Sequence, residues 1–183
     1  MRISKVTTKT GDRGQTSLGQ GEKVSKSHPR IQCLGGVDEL NAQVGLSIVA
    51  CKDTLIIAEL KSIQNDLLNL GGEIATPNLG KSLLPEQRVE FLEQKIKEMN
   101  KELPPLKEFI LPGGDEFSAR LHVTRTVCRR IERDVVGLPP EETDIHHPVW
   151  LRYLNRLSDY FFVLARFHNH KQDVKENMWE RTP

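Results

Sequence analysis

The sequence predicts an all-α protein built as a five-helix up-and-down bundle. Five stretches repeat apolar residues at steps of three and four, which is the period of an amphipathic helix. Prolines and glycines separate these stretches by short connections, and no stretch alternates convincingly as a strand. Short connections favour a left-handed antiparallel bundle. A chain of 183 residues has the length of one domain with its own core.

An irregular head, residues 1–36, precedes the helices in this prediction. From residue 5 onward it is rich in Gly, Ser, Thr and Lys and has no hydrophobic period. Glycine-rich backbone with hydroxyl and ammonium groups can bind phosphate, and the alternative is an ordinary surface loop. The segment lacks the GxxxxGK[ST] motif of a Walker A loop. Gly19-Gln20-Gly21 also lacks the third glycine of a dinucleotide fingerprint.

The helical body is predicted over residues 37–170. The first helix is expected to begin at Val37, with Asp38 and Glu39 in its first turn, where the helix dipole favours acidic side chains. Asp115 is the expected N-cap of the fourth helix. Prolines and one glycine mark the other boundaries, at Pro77, Pro85, Pro104, Pro112, Gly137, Pro139 and Pro148. Residues 171–183 form a polar tail, for which we expect loose order.

Composition excludes several classes of protein. The 26 basic and 25 acidic residues nearly balance, which argues against a general binder of nucleic acid or membrane surfaces. No apolar run approaches the length of a membrane span, and the N-terminus has no signal core, so we expect a cytoplasmic protein. Three separated cysteines predict free thiols in a reducing compartment. No Glu-x-x-His occurs, which argues against a di-iron bundle, and the His146-His147 pair has no assigned role.

The fourth predicted helix carries an unusual concentration of arginines. At about 100° per residue, one continuous flank beside the apolar face carries Arg125, Arg129, Glu132 and Arg133. Arg130 points about 100° away from that flank. One interpretation is an anion bound by several guanidinium groups. The other is a solvated face with internal ion pairs, which surface charges usually form.

Three further features carry weaker signals. Asp38 and Arg125 can pair between helices, although an ordinary surface ion pair is the alternative. Asn155 lies beside the apolar stripe of the last helix, where polar residues are usually solvated. Phe109, just ahead of a proline-glycine turn, is by default a core residue.

Four blocks of the sequence, taken together, resemble the PduO-type ATP:cob(I)alamin adenosyltransferases. They are residues 8–17, 36–41, 125–133 and 153–159, in the family's order and spread over most of the chain. The resemblance implies a ferritin-like five-helix bundle that assembles as a homotrimer with active sites between subunits. It implies transfer of the 5′-deoxyadenosyl group of ATP to the cobalt of cob(I)alamin. The products are adenosylcobalamin and triphosphate, and Mg²⁺ assists.

The resemblance also implies roles for individual residues. The implied ATP-binding residues are Thr8, Lys9, Thr10, Gly11, Thr16, Ser17, Lys26, Arg129, Arg130, Glu132, Arg133 and Asn155. Arg129 also has a catalytic role, Asp38 and Arg125 form an intersubunit salt bridge, and Phe109 crowds the lower face of the corrin. Mg²⁺ is expected to be carried mainly by the phosphates of ATP, without identified protein ligands. The chain departs from the family pattern in Asp115-Glu116 and in Ile131, where alanine is commoner.

Alternative functions remain open at the level of sequence, because these motifs describe binding. The chain can be an ATP-gated carrier that delivers adenosylcobalamin to a cobalamin-dependent mutase. A bundle that binds another polyphosphate for regulation is a third possibility. For the enzyme, the expected partners are a cobalamin reductase and an adenosylcobalamin-dependent enzyme, with no nucleic acid and no membrane.

Overall fold

A small β-hairpin followed by five helices makes up the fold. The structure, a computed structural model, describes residue 7 and residues 9–181. Its elements are β1 (Gln15–Ser17), β2 (Lys23–Ser25), α1 (Pro29–Ala50), α2 (Thr54–Ala75), α3 (Gln87–Asn100), α4 (Glu116–Val136) and α5 (His147–Lys171). A short 3-10 helix, Pro140–Glu142, lies between α4 and α5. The predicted five-helix class is confirmed, and the hairpin is a strand pair that the sequence pattern did not predict.

The helices run alternately up and down the bundle. Ser47 on α1 lies opposite Thr124 on α4, with their hydroxyl oxygens 3.0 Å apart, and Gly36 packs against Ile131. Similar contacts place α1, α2, α5 and α4 in this order around the core, while α3 packs against α2 and α5. We call the end where α1 begins and α4 ends the head end, and the opposite end the far end.

The core consists of the apolar stripes that the sequence marked. Leu40, Leu67 and Leu154 are fully buried, and Asp115 caps α4 by accepting a hydrogen bond from Ser118 N at 2.9 Å.

All three cysteines are free, as predicted, and their side chains are buried. Among the described residues, none of the helices combines the length and the apolar character that a membrane crossing requires.

A row of carboxylates on α2, which we call the carboxylate ladder, ties α2 to α5. Glu59, Asp66 and Glu73 recur every seven residues and lie beside the apolar seam of the helix. Each accepts a hydrogen bond from an aromatic side chain of α5: Tyr160 to Glu59 at 2.9 Å, Tyr153 to Asp66 at 2.9 Å, and Trp150 to Glu73 at 2.5 Å. The ladder therefore satisfies three polar groups inside the bundle.

Basic side chains of helix α3 form salt bridges with two carboxylates of the ladder. Lys95 Nζ lies 2.5 Å from Glu59, and Arg88 Nη2 lies 2.7 Å from Asp66. Burial, with the nearby Asp66 carboxylate, raises the pKa of Tyr153 well above its ordinary value. The phenol of Tyr153 therefore stays protonated and donates a hydrogen bond to Asp66.

Helix α1 begins earlier than the sequence pattern predicted. It starts at Pro29, within the segment assigned to the head, so Asp38 and Glu39 lie inside the helix rather than in its first turn. Proline is well placed at the start of a helix, and the His28 side chain accepts a hydrogen bond from Arg30 N at 3.3 Å. Gly35 and Gly36 suggested a loop in the sequence, which is why the earlier start of the helix was not predicted. Gly36 instead allows α1 to pack closely against α4. A Cβ on Gly36 would lie 2.9 Å from Ile131 Cγ1.

The described part of the tail is paired with the connection between α3 and α4. Leu111 N donates to Asn177 O at 2.8 Å, and Trp179 N donates to Phe109 O at 2.7 Å. Glu176 forms a salt bridge of 3.1 Å with the buried Arg166. The expectation of loose order is therefore wrong for this stretch, because backbone pairing and an ion pair hold it.

Candidate functional site

The hairpin and the turn before it form a pocket of about 590 Å³ at the head end. Its lining residues are Thr10, Gly11, Gln15, Thr16, Ser17, Lys23 and Lys26. The two lysines bring positive charge, the threonines and the serine bring hydroxyl groups, and the lining contains no carboxylate. This chemistry fits a phosphate chain. Gln15 and Lys23 were absent from the predicted site, because the strands that point them into the pocket were not predicted.

Local backbone geometry shapes this head pocket. Gly14 has a φ of 75°, which favours glycine, and its N–H donates to Gly11 O at 3.2 Å. Lys26 N donates to Gly14 O at 2.9 Å, which brings the lysine back across the turn. A Cβ on Gly11 would lie 3.0 Å from Lys26 Nζ, so the missing side chain makes room for the ammonium group. Lys9 precedes the pocket in a left-handed conformation with a φ of 59°, and Thr8 lies outside the described residues.

The arginine flank of α4 lies beside the apolar face of the helix and faces α5 and the outside of the bundle. Asn155 Nδ2 on α5 donates to Glu132 Oε1 at 2.9 Å, which joins two of the predicted ATP-binding residues. Arg133 Nη1 donates to Arg129 O at 3.0 Å. Within the described part of the chain, no carboxylate pairs with the guanidinium groups of Arg125, Arg129 or Arg133. The flank therefore presents concentrated positive charge.

Two neighbouring side chains of α4 each contain one buried polar atom that makes no hydrogen bond within the described part of the chain. Nδ1 of His122 and Nε of Arg125 are buried without a hydrogen-bond partner among the described residues. Burial lowers the pKa of Arg125, and the adjacent Arg129 lowers it further. Burial, with Arg125 beside it, also lowers the pKa of His122 to about 4. His122 is therefore neutral near pH 7 and does not add to the charge, and sequence spacing alone gave no signal for it.

Arg130 and Asp38 lie away from the flank, in different directions. Arg130 pairs with Glu39 on α1 and lies 3.9 Å from Asp134, so it bridges α1 and α4. Asp38 is exposed beside a groove of about 320 Å³ between α1 and α2. Arg125 lies on the other side of the bundle, with its guanidinium 5.8 Å from the centre of the Phe162 ring on α5. Asp38 and Arg125 therefore cannot pair within one subunit.

Phe109 lies at the far end and is not a core residue. Its side chain is 74% exposed, which corrects the default assignment from sequence, and its ring meets Trp179 edge-on at 6.2 Å. Arg181 lies 5.3 Å above the Trp179 ring and 3.4 Å from Glu108. The tail thus places a second exposed aromatic residue beside Phe109, which the sequence analysis missed because the tail has no recognisable pattern.

Apart from Asp38 and Arg130, the described members of the predicted site form three groups in one subunit rather than one cluster. The head pocket contains Thr10, Gly11, Thr16, Ser17 and Lys26, and the arginine flank contains Arg125, Arg129, Glu132, Arg133 and Asn155. The head pocket has no lining residue from α4 or α5. Phe109 stands at the opposite end from the hairpin. Within one subunit, these three groups therefore do not line a single pocket.

The two adjacent histidines have structural roles. Nε2 of His146 lies 2.7 Å from Leu79 O, and Nε2 of His147 lies 3.1 Å from Val135 O. These contacts hold the start of α5 against its neighbours. Within residues 9–181, no group of three or more His, Cys, Asp or Glu side chains is arranged to hold a metal ion.

Comparison with known proteins assigns the family. The family model described as cobalamin adenosyltransferase matches residues 6–168. The chain belongs to the cobalamin adenosyltransferase family. It is 44% identical to a cobalamin adenosyltransferase of Cupriavidus metallidurans, over 98% of this chain and 96% of that protein. It is 43% identical to a corrinoid adenosyltransferase of Bacillus subtilis, over 97% of this chain and 93% of that protein.

Solved structures of this family have the same fold. A phenylalanine-to-alanine variant of the PduO-type ATP:corrinoid adenosyltransferase from Lactobacillus reuteri, complexed with cobalamin and ATP, matches with a TM-score of 0.90 and 36% identity. The match covers 97% of this chain and 100% of that one. An arginine-to-lysine variant complexed with ATP matches with a TM-score of 0.89. The predicted fold class and the predicted activity, adenosyl transfer from ATP to a corrinoid, are confirmed.

Proposed function

We propose that this adenosyltransferase joins C5′ of ATP to the cobalt of cob(I)alamin in sites shared between neighbouring subunits of a homotrimer. The observation that carries the proposal is the division of the site. A pocket suited to phosphate lies by the hairpin, while a flank whose Arg125, Arg129 and Arg133 pair with no carboxylate among the described residues lies on the α4 and α5 side. A neighbouring subunit that presents its flank to the hairpin completes the site. The same surface can accept a corrin toward the far end, where Phe109 is exposed.

The reaction requires no general base, because cobalt(I) is itself a strong nucleophile. A cobalt–carbon bond forms at C5′ as the bond from C5′ to the triphosphate oxygen breaks, and the triphosphate leaves with its negative charge. The protein must hold C5′ in line with cobalt and stabilise this leaving group. Lys23 and Lys26 from the hairpin, with Arg129 and Arg133 from the neighbouring flank, supply positive charge for this purpose.

Mg²⁺ fits this arrangement as an ion carried by the nucleotide. The head pocket offers hydroxyl oxygens from Thr10, Thr16 and Ser17 and no carboxylate, whereas Mg²⁺ is commonly held by substrate phosphates with few protein ligands. When bound, Mg²⁺ supplies charge neutralisation of the phosphates. Thr8, Lys9 and Arg130 remain proposed nucleotide contacts, Arg130 in addition to its pairing with Glu39.

The catalytic residues are supported by the variants of the Lactobacillus reuteri relative. Its substituted phenylalanine and substituted arginine stand twenty positions apart in that chain, which is also the interval between Phe109 and Arg129. We therefore assign Phe109 to the lower face of the corrin, where its exposed ring can displace the axial base. Arg129 is assigned to the nucleotide.

Turnover with reduced cobalamin tests the function directly. Purified protein with ATP, Mg²⁺ and chemically reduced cob(I)alamin is expected to form adenosylcobalamin and triphosphate over many cycles. With cob(II)alamin and ATP, the visible spectrum is expected to shift to a four-coordinate, base-off form. Absence of cobalamin binding would contradict the proposal and favour a polyphosphate-binding regulator. A single burst, with product held until ATP or a partner protein arrives, would favour the carrier function.

The intersubunit pair of Asp38 with Arg125 of its neighbour is supported by unpaired groups on two surfaces. Asp38 is an exposed carboxylate on the α1 and α2 side, and Arg125 Nε is a buried donor without a partner on the α4 and α5 side. Because these surfaces differ, their contact is head-to-tail, and such contacts form a ring when the rotation between successive subunits closes and an open filament when it does not. A trimer is the ring that we propose.

Asp38→Asn is expected to weaken both the trimer and the activity. Removing one charge of a desolvated interfacial pair costs about 2 kcal/mol or more, which is roughly a 30-fold loss in affinity or kcat/KM. Sedimentation across a range of concentrations and steady-state kinetics measure the two effects. Glu39→Gln is the matched control, because Glu39 pairs with Arg130 inside the subunit, and it should leave the oligomeric state unchanged. Normal assembly and kinetics for Asp38→Asn would contradict the intersubunit pair.

A further inference from the structure

We propose that the C-terminal end of α2 is a docking platform that orients the nucleotide hairpin, with Gly19 as the positioning residue and the Thr76 side chain as the nearest atom group that a larger residue at position 19 would meet. The platform consists of Ala75, Thr76 and Pro77. This inference rests on the proposed function of the head pocket as the ATP site, and it names what holds that pocket in place.

Two hydrogen bonds dock the tip of the hairpin onto the platform. Gly19 N donates to Ala75 O at 2.7 Å, and Gln20 Nε2 donates to Pro77 O at 2.8 Å. The last carbonyl groups of a helix receive no hydrogen bond from within the helix, and the N–H of Gly19 supplies the missing donor to one of them, that of Ala75. Strands of three residues form a hairpin of marginal stability on their own. The orientation of the hairpin therefore depends on this docking.

The docking requires residue 19 to have no side chain. A Cβ on Gly19 would lie 2.4 Å from Thr76 Oγ1 and 3.1 Å from Ala75 O. Gly19 is not among the glycines with a positive φ, so another residue could adopt its backbone conformation. The constraint at this position is therefore the close approach to the platform and not the backbone angle.

The platform itself is fixed to the bundle. Glu73 is fully buried and accepts hydrogen bonds from Ser82 Oγ at 3.0 Å and from Leu84 N at 2.8 Å, in addition to the bond from Trp150. Arg30 Nη1 donates to Ile74 O at 2.8 Å, just before the platform. A rigid platform under a weak hairpin means that the contact at Gly19 sets the position of the hairpin.

The docked tip connects the two walls of the head pocket. Ser17 ends β1 and Lys23 begins β2, and both line the pocket on either side of the tip. A shift of the tip therefore moves the Ser17 hydroxyl on one side of the pocket and the Lys23 ammonium group on the other side together. The affinity for ATP is expected to change, while the affinity for cobalamin, which is assigned to the far end beside Phe109, is not.

Gly19→Ala is expected to raise the KM for ATP about tenfold without changing the KM for cobalamin or the melting temperature of the bundle. Thr76→Ala alone should leave both KM values near those of the wild type. In the double variant, the nearest remaining contacts of the new Cβ are Ala75 O at 3.1 Å and Thr76 Cβ at 3.4 Å, so the KM for ATP should fall back toward the wild-type value. Gly80→Ala is the matched control, since a Cβ there meets no atom within 4 Å.

Three outcomes would overturn the inference. These are an unchanged KM for ATP in Gly19→Ala, no recovery in the double variant, or an equal rise in both KM values with a lower melting temperature. Direct titration of each variant with ATP separates this inference from the function on which it rests. If the wild type does not bind ATP, the proposed function fails. If the wild type and Gly19→Ala bind ATP equally well, only the docking role fails.

Discussion

Arg129→Ala is expected to reduce kcat/KM for adenosylation of chemically reduced cobalamin by about 100-fold to 1,000-fold, the range for loss of one donor that stabilises developing charge. The side chain has no carboxylate partner within the described residues, and its charge already lowers the pKa of Arg125. A guanidinium held without a counter-ion is ready to receive the charge of the leaving triphosphate. Removing it leaves that charge less stabilised at the moment of bond breaking.

Two further variants sharpen this experiment. Arg129→Lys keeps the charge but loses the planar fork, so its activity should lie between those of the wild type and the alanine variant. Arg152→Ala removes an arginine of α5 that is paired with Glu86 on the surface, and it should leave kcat/KM unchanged. Near-normal turnover by Arg129→Ala would contradict the role of Arg129 at the triphosphate.

Phe109→Ala is expected to slow the reaction that starts from cob(II)alamin and a reductant by about 100-fold, equivalent to about 3 kcal/mol. The reaction that starts from free cob(I)alamin should be slowed much less, because its cobalt is already reduced and no lower ligand has to be removed before reduction. The ring of Phe109 is 74% exposed and supported only at its edge by Trp179, so it is available to a corrin. Apolar surface at the lower face disfavours the polar axial base and the water that would replace it.

The comparison of the two starting states decides the role of Phe109. An equal loss from cob(II)alamin and from cob(I)alamin would contradict ligand displacement. Leu55→Ala is a control matched in exposure, since Leu55 is 75% exposed at the start of α2, which also lies at the far end. It should leave both rates unchanged.

The sequence predicted the parts of this molecule that depend on local periodicity. The flank of Arg125, Arg129 and Arg133 followed from the angular spacing of a helix, and Asp115 was identified as a cap from its place at the end of a proline-glycine turn. Both features depend only on neighbours along the chain. The structure therefore reproduces them closely.

Features that depend on distant partners were not predictable from pattern. The strands of the hairpin are too short to show alternation, and they are held by the end of α2. Glu73 has the sequence pattern of a solvated flank, yet it is fully buried because Trp150 and a backbone segment bind it. The separation of the predicted site residues into distant groups is also invisible to periodicity, because it depends on how the helices and the hairpin pack.

The carboxylate ladder has a consequence for how α5 can slide along α2. Apolar contacts that repeat every seven residues tolerate a slip by one repeat, whereas the ladder does not. Such a slip would bring Tyr160 to Asp66 and Phe167 to Glu59, and phenylalanine has no donor for that carboxylate. The ladder thus sets the stagger between the helix that supports the hairpin and the helix that bears Asn155.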